Sequence, residues 1–318
     1  LLFLRGGSVM HNQSVLLGQA WAEESRGETA YAAAPGILVA VSPAPENAPF
    51  PRWIDREGKV LAEVDAVPSS EVRLSPDGRW IAFRKFTESG REIWLKESRS
   101  ESEHRLTSGS NAVDFVFHPD SKKLAFGSDL EGPFNIYTVD VSSGERPQRL
   151  TRSPHRQFPK CWGNGVLLYE EERPDQAHDI VALPDNGEPF DVVATRFDER
   201  EPALSPDGKW LAYQSDQSGA HRIYLKAFPK GSPRILTEGT EPAWTAQGHL
   251  IFRQGDALVE IQNLEVPSPR TLFTHNFSRP GRRMWDLTPD GQRFLVLDRS
   301  SGPQEVEIWA VLNHPGLR

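Results

Sequence analysis

The sequence predicts an all-β fold, a β-propeller of four-stranded blades, and three observations carry that prediction. A turn of one chemistry recurs about every 43 residues, a short β-rich run follows each turn, and a further strand begins at a fixed distance beyond it. The turn Ser75-Pro76-Asp77-Gly78 returns as Ser205-Pro206-Asp207-Gly208, as Thr288-Pro289-Asp290-Gly291 and as His118-Pro119-Asp120-Ser121. Weaker versions are Ala34-Pro35-Gly36, Gly163-Asn164-Gly165 and Ala246-Gln247-Gly248. Their last residues fall at 36, 78, 121, 165, 208, 248 and 291, intervals of 42, 43, 44, 43, 40 and 43. Proline presets φ, aspartate bonds its own backbone two residues on, and glycine accepts the left-handed conformation that closes a hairpin.

Each turn leads into a second strand: Ile81-Ala82-Phe83, Leu124-Ala125-Phe126, Leu167-Leu168-Tyr169, Leu211-Ala212-Tyr213, Ile251-Phe252 and Leu295-Val296-Leu297. Ile93, Ile136, Ile180 and Ile223 each stand 15 residues past their turn and open a third strand. A fourth shows as Arg-Leu-Thr at 105–107 and 149–151 and as Ile235-Leu236-Thr237. Such a sheet cannot bury both faces alone, so the blades must stack radially with the core between them.

Seven turns imply seven blades, with six or eight as the alternative counts. The units run over 34–66, 67–110, 111–154, 155–199, 200–241, 242–278 and 279–314 of a single propeller domain spanning 1–318. Residues 1–33 hold a strand pair, at 1–4 and 8–11, without the strand and turn that should precede it. The last unit offers three strands, the third over 306–311, and lacks a fourth. Closure of the ring by N-terminal strands resolves both defects, and a truncated extra blade is the competing account. Residues 14–24 place Val15, Leu16, Leu17, Ala20 and Trp21 on one face and read as a helix or an outer strand. The chain opens without Met, in what reads as a strand, as a piece of a longer protein would.

Composition narrows the function classes. A formal charge of −8 argues against a nucleic-acid footprint, which needs clustered Lys and Arg in excess. The single cysteine, Cys161, permits no internal disulfide and reads as a packing residue. No apolar run reaches the 18 residues of a membrane span.

The turn, the Ile-Ala-Phe strand, the Ile-Trp/Tyr strand and the Leu-Thr ending together resemble the TolB-like, WD40-like (PD40) propeller repeat over residues 34–312. A narrower likeness is to the propeller that follows a membrane segment in some bacterial serine/threonine protein kinases. It rests on residues 1–8, on Trp53 to Val60, on Arg222 to Pro229 and on Val311-Leu312-Asn313. That resemblance implies a periplasmic or extracytoplasmic sensing or docking module.

Enzymatic chemistry finds no motif. There is no Gly-rich kinase loop, His-Arg-Asp or Asp-Phe-Gly segment, no Gly-x-Ser-x-Gly elbow and no phosphate-cradling loop. The nine histidines sit at different depths of the repeat and do not converge as metal ligands must. Asp77, Asp120, Asp207 and Asp290 occupy one place in successive blades, where the turn itself requires aspartate. Trp80, Trp94, Trp210, Trp244, Trp285 and Trp309 recur in register with strands and read as packing.

The expectation is therefore a protein that is not an enzyme and carries no cofactor or metal. It is read as a binding scaffold for a protein or peptide partner or a small polar ligand, with no nucleic acid. The alternative is a metal-dependent propeller lyase or hydrolase acting on a polar polymer. The inter-blade loops, opposite the Pro-Asp-Gly turns, supply the candidate ligand-binding residues: Asp114, His155, Arg156, Arg200, Glu201, Glu241, Arg282 and Arg283. A mixed-charge channel mouth of this kind suits a peptide or polar ligand.

Overall fold

The computed structural model of the protein describes residues 23–25, 29–34, 37–43, 50–64, 69, 71–87, 90–100, 102–109, 111–142, 146–174, 177–277, 283–298 and 306–312. The chain divides into two compact units, one formed by Leu1–Pro49 with Arg299–Arg318 and the other by Phe50–Asp298. Every described element is a β-strand or a turn.

In the smaller unit β1 (Glu23–Ser25), β2 (Thr29–Ala34) and β3 (Ile37–Pro43) form an antiparallel meander. Ala34 pairs with Ile37, so β2 and β3 form a hairpin.

The larger unit is a propeller of six four-stranded blades. It opens with β4 (Phe50–Asp55) and β5 (Val60–Glu63). Blade one follows as β6 (Val72–Leu74), β7 (Trp80–Thr87), β8 (Gly90–Glu97) and β9 (Glu103–Arg105). Blade two is β10 (Val113–Phe117), β11 (Lys123–Ser128), β12 (Asn135–Asp140) and β13 (Gln148–Arg149). Blade three is β14 (Arg156–Gly163), β15 (Val166–Glu172), β16 (Asp179–Pro184) and β17 (Phe190–Val193). Blade four is β18 (Glu199–Leu204), β19 (Trp210–Ser215), β20 (Arg222–Ala227) and β21 (Arg234–Glu238). Blade five is β22 (Thr240–Trp244), β23 (Leu250–Gln254), β24 (Ala257–Ile261) and β25 (Arg270–Thr274).

Blade six is composite. Its inner strands are β26 (Trp285–Leu287) and β27 (Arg293–Asp298), and its outer strands are β4 and β5 from the other end of the propeller. β27 runs antiparallel to β4 from Arg293 opposite Asp55 to Asp298 opposite Phe50. The last strand, β28 (Val306–Leu312), pairs with β3, from Val306 opposite Pro43 to Leu312 opposite Ile37.

These pairings correct the expected seven blades to six. The turn at 34–36 belongs to the separate β1–β2–β3–β28 sheet and heads no blade of the ring. Residues 306–311 pair in that same sheet, and the third strand of the last blade is β4, about 240 residues earlier in the chain. N-terminal strands do close the ring, but they are 50–63. Pairing between such distant segments leaves no local periodic mark. The expected strand pair at 1–11 and nearly all of the 14–24 stretch lie outside the described residues.

The core lies between blades, and six apolar clusters fill the six seams. Ala82, Ile93 and Leu95 of blade one meet Phe115, Leu124 and Phe126 of blade two. Equivalent clusters join blades two and three, three and four, four and five, and five and six. At the closing seam Val72, Ile81 and Phe83 pack on Met284, Leu295 and Leu297. Each fully buried Leu, Ile or Phe contributes about 1.5–3 kcal/mol.

The recurring turns behave as their chemistry predicts. Ser75 Oγ donates to Asp77 Oδ1 at 2.6 Å, and that oxygen also accepts the Arg79 N–H at 2.9 Å. Ser205 and Asp207 repeat the first bond at 2.6 Å, and Thr288 and Asp290 at 2.5 Å. Gly78 (φ 71°), Gly208 (φ 70°) and Gly291 (φ 65°) occupy the left-handed position that ends each turn.

A buried ion pair reinforces closure. Arg56, between β4 and β5, donates to Gly291 O at 2.9 Å and to Glu260 of blade five at 2.7 Å. The Glu260 side chain is fully buried. Burial opposes its charge, but Arg56 and Gln262 hold its pKa below the ordinary carboxylate value. Glu260→Ala is expected to cost about 3 kcal/mol, the scale of losing one partner of a buried pair, in urea unfolding at neutral pH. Because the folded-state pKa is depressed, this contribution is present above the carboxylate range and fades as pH falls through it. The gap between wild type and variant therefore narrows in acid.

Candidate functional site

The inner strands line the channel, and their entry ends carry a repeated irregularity. Glu71, Asp114, Glu201 and Glu241 each stand seven residues before the last residue of their turn. Asp114 (φ 42°), Glu201 (φ 49°) and Glu241 (φ 59°) are left-handed, and the strand register shifts at all three. They are β-bulges, which re-aim a side chain and free its backbone from the ladder. A polar side chain of the preceding blade takes up the freed N–H groups. Glu71 accepts from Asp114 N and Phe115 N, both at 3.2 Å, Glu170 from Glu201 N at 2.7 Å, and Gln214 from Glu241 N at 3.0 Å.

Lys160 joins these elements at the centre. It stands in β14, its side chain is 6% exposed, and its Nζ lies 2.8 Å from Asp114 Oδ1, 3.0 Å from Glu201 Oε1 and 3.6 Å from Glu170 Oε1. One ammonium thus ties blades two, three and four. Burial opposes the charge, but the three carboxylates outweigh it and hold the pKa above the ordinary lysine value. Among those carboxylates, burial raises the pKa of Glu170, whereas Lys160 and Arg73 overcome burial and lower that of Glu201. Arg73 of blade one donates to Arg283 O at 3.3 Å, and Asp286 of blade six accepts Leu74 N at 2.8 Å and pairs with Arg283.

Glu241 is the exception in charge. It accepts from Trp285 Nε1 at 2.9 Å and faces Arg253 at 3.3 Å, yet its burial dominates and pushes its pKa up to about 8.

Beyond this charged layer, toward the Pro-Asp-Gly turns, the channel widens into a cavity of about 480 Å³ walled by all six inner strands. The indoles of Trp162 and Trp244, the turn prolines Pro76, Pro119, Pro206 and Pro289, and the aliphatic Leu204 and Leu287 line it. Arg73, Lys160, Arg283 and Asp286 contribute its polar lining. Cys161 also lines this space; its thiol accepts Leu204 N at 3.4 Å, and burial raises its pKa. Trp244 Nε1 is held by Ala203 O at 3.0 Å, and Trp162 Nε1 by Asp185 at 3.2 Å, so both indoles are fixed.

The residues expected at the inter-blade mouth fall into three places. Asp114, Glu201 and Glu241 are buried in the channel wall as bulges, and Lys160 brings the first two together. Arg283 is partly buried and pairs with Asp286 on the cavity side. His155 and Arg156 stay at the opposite end, where Arg156 pairs with Glu172 at 3.3 Å and stands over the rings of Phe134 and Phe158. Arg200 stands in β18, bonded to Asp198 at 2.7 Å and to His178 Nδ1 at 2.7 Å. Arg282 lies outside the described residues. Sequence reasoning missed Glu71, Lys160, Trp162 and Trp244 as channel residues. The shared offset from the turn was a usable signal for Glu71, and for Lys160 as well, because Arg73 and Lys160 both stand five residues before the last residue of their turns.

Among the described residues no three His, Cys, Asp or Glu side chains are grouped to hold a metal ion. No helix among them is long and apolar enough to cross a membrane.

With this geometry in place, no family model matches the chain. A TolB-type assignment from Agrobacterium tumefaciens superposes with a TM-score of 0.64 at 19% identity, over 80% of this chain and 99% of that one. An oligogalacturonate lyase solved with manganese superposes with a TM-score of 0.56 at 14% identity, over 94% and 96%. The chain therefore has the TolB-like β-propeller fold. In sequence it is 23% identical to the uncharacterised peptidase YuxL of Bacillus subtilis over 51% of this chain, and 21% identical to dipeptidyl aminopeptidase BIII of Pseudoxanthomonas mexicana over 72%. It spans about one third of the length of both these relatives. These names overturn the expectation of a protein that is not an enzyme, since both relatives are called peptidases and a whole-length structural neighbour is a lyase. Motifs absent from this chain do not decide the matter, because the chain spans only about a third of those relatives and fold does not fix function. The kinase likeness finds no support in these comparisons.

Two outcomes test the charged layer. Lys160→Met removes the cation nearest to three buried carboxylates and is expected to cost about 3–5 kcal/mol in denaturant unfolding. For Glu241 the folded-state pKa is raised, so the folded chain holds a proton that the unfolded chain releases between the ordinary carboxylate range and about pH 8. Stability contributed at this site therefore falls as pH rises through that window, and Glu241→Gln flattens the slope of unfolding free energy against pH there.

Proposed function

We propose that the propeller recognises a peptide, which enters its channel from the face that carries the Pro-Asp-Gly turns. The observation that carries this reading is the cavity of about 480 Å³ at that face, with its fixed indoles, its rim of prolines and its polar floor. Held aromatic surface gives large contact area at low entropic cost, and the prolines add rigid apolar wall. The floor cations are already matched by carboxylates. An uncharged or apolar side chain therefore suits the cavity, with the peptide backbone laid across the rim. The peptidase names of two relatives support a peptide as the class of ligand, here a substrate presented for cleavage. His155, Arg156 and Arg200 serve the opposite mouth, where they offer a separate polar contact.

Cys161 supplies the readout, because the only cysteine of the chain lines the cavity. A dodecapeptide selected from a random phage-displayed library on the whole chain should slow N-ethylmaleimide modification of Cys161. Trp244→Ala should weaken that peptide roughly tenfold or more, and Arg156→Ala should leave it unchanged. Peptides that depend on Arg156 and ignore Trp244 place recognition at the opposite face and defeat the proposal. Mass spectrometry of the same mixtures reads cleavage directly.

A further inference from the structure

Four of the six seams between blades are tied at the turn face, and between blades four and five the tie is Trp244 Nε1 to Ala203 O at 3.0 Å on the inner strands. Asp77 N donates to Ser121 Oγ at 3.0 Å between blades one and two, and the rings of His118 and Trp162 meet edge to face at 4.6 Å between two and three. Asn164 Nδ2 donates to Ser205 O at 3.3 Å between three and four, and Ala246 N to Pro289 O at 2.7 Å between five and six. At the closing seam the tie lies deeper, from Leu74 N to Asp286 Oδ2. Above it the described turn residues of blades six and one make no such bond to each other, and a second cavity of about 230 Å³ opens between them.

Trp53, Asp77, Arg99, Thr288 and Arg293 line this space. The guanidinium of Arg293 stands 5.1 Å over the indole of Trp53, which fixes it without consuming a hydrogen-bond donor. Among the described residues neither the Arg293 nor the Arg99 side chain makes a hydrogen bond or a close ion pair. The turn carboxylates beside them are occupied by their own turns. Asp77 accepts from Ser75 Oγ and Arg79 N, and Asp290 from Thr288 Oγ1 and Gln292 N. Arg79, close by in sequence, is by contrast paired with Glu97 at 3.1 Å. Both arginines are exposed, and Arg293 also interacts electrostatically with Asp290; with neither fork bonded to a protein acceptor, the cleft offers two guanidinium groups to an acceptor from outside.

We propose that the seam between blades six and one is an oxyanion site, in which Arg99 and Arg293 grip a carboxylate or phosphate group and Trp53 positions Arg293. Its volume fits one such group with a short organic stem. The site stands independently of peptide entry into the channel, because it rests on different side chains.

Calorimetric titration of the whole chain at low salt with inorganic phosphate, oxalate and a short glutamate peptide tests it. At least one probe should bind with a dissociation constant of about 1 mM or tighter. Arg99→Ala combined with Arg293→Ala should weaken it roughly tenfold or more, Trp53→Leu severalfold, and Arg79→Ala not at all. Binding of phosphate or oxalate without the peptide supports a free anion, and binding of the peptide without them an acidic segment of a polypeptide. No binding by wild type to about 10 mM, or unchanged affinity in the double variant with a native circular-dichroism spectrum, overturns the site.

Discussion

The pairing of β27 with β4 is the constraint on which the rest of the propeller depends. Six residues at one end of the propeller sequence, Arg293–Asp298, meet six at the other, Phe50–Asp55. An open ring would leave the edge of β27 unpaired and the faces of blades one and six bare, with the Val72, Phe83, Met284 and Leu297 cluster unformed. Closure also brings Arg56 against Gly291 and Glu260, so the seam carries a buried ion pair as well as apolar contact. The closing seam is where an outer strand pair comes from a different part of the chain, and a cleft opens between its turns.

Closure sets the channel, and the channel has two different ends. Left-handed bulges at the strand entries turn carboxylates inward, where Lys160 and Arg73 neutralise them and preceding blades take up the freed N–H groups. A buried network of this kind is costly unless fully satisfied, and the bonds among Asp114, Lys160, Glu170 and Glu201 satisfy it. The inner strands then become apolar toward the turns, with Leu204, Trp244 and Leu287, and leave a cavity rather than a packed centre. Polarity and space are thus segregated along the same six strands.

Much of the fold was legible in the sequence because the turn chemistry is local. Ser75 and Asp77 bond within four residues, so their pattern recurs wherever that turn is needed. The blade count was not, because β2 and β3 pair as a hairpin like the others while β3 pairs on its other edge with β28. The site was legible in part. Asp114, Glu201 and Glu241 stood out by charge, but polarity at a strand entry reads as a solvated loop, whereas a bulge at positive φ buries it. Trp244 recurs in strand register like a packing residue and Trp162 carries no mark of its own, and only the ring geometry shows that they border a cavity.

Hydrogen–deuterium exchange on the whole chain, with and without a saturating selected peptide, tests the central claim that recognition belongs to the turn end of the channel. The account predicts slowed exchange at residues 160–165, 203–206 and 243–246 on the cavity wall. Slowing confined to the inter-blade segments 107–114, 153–158 and 195–202 would contradict it.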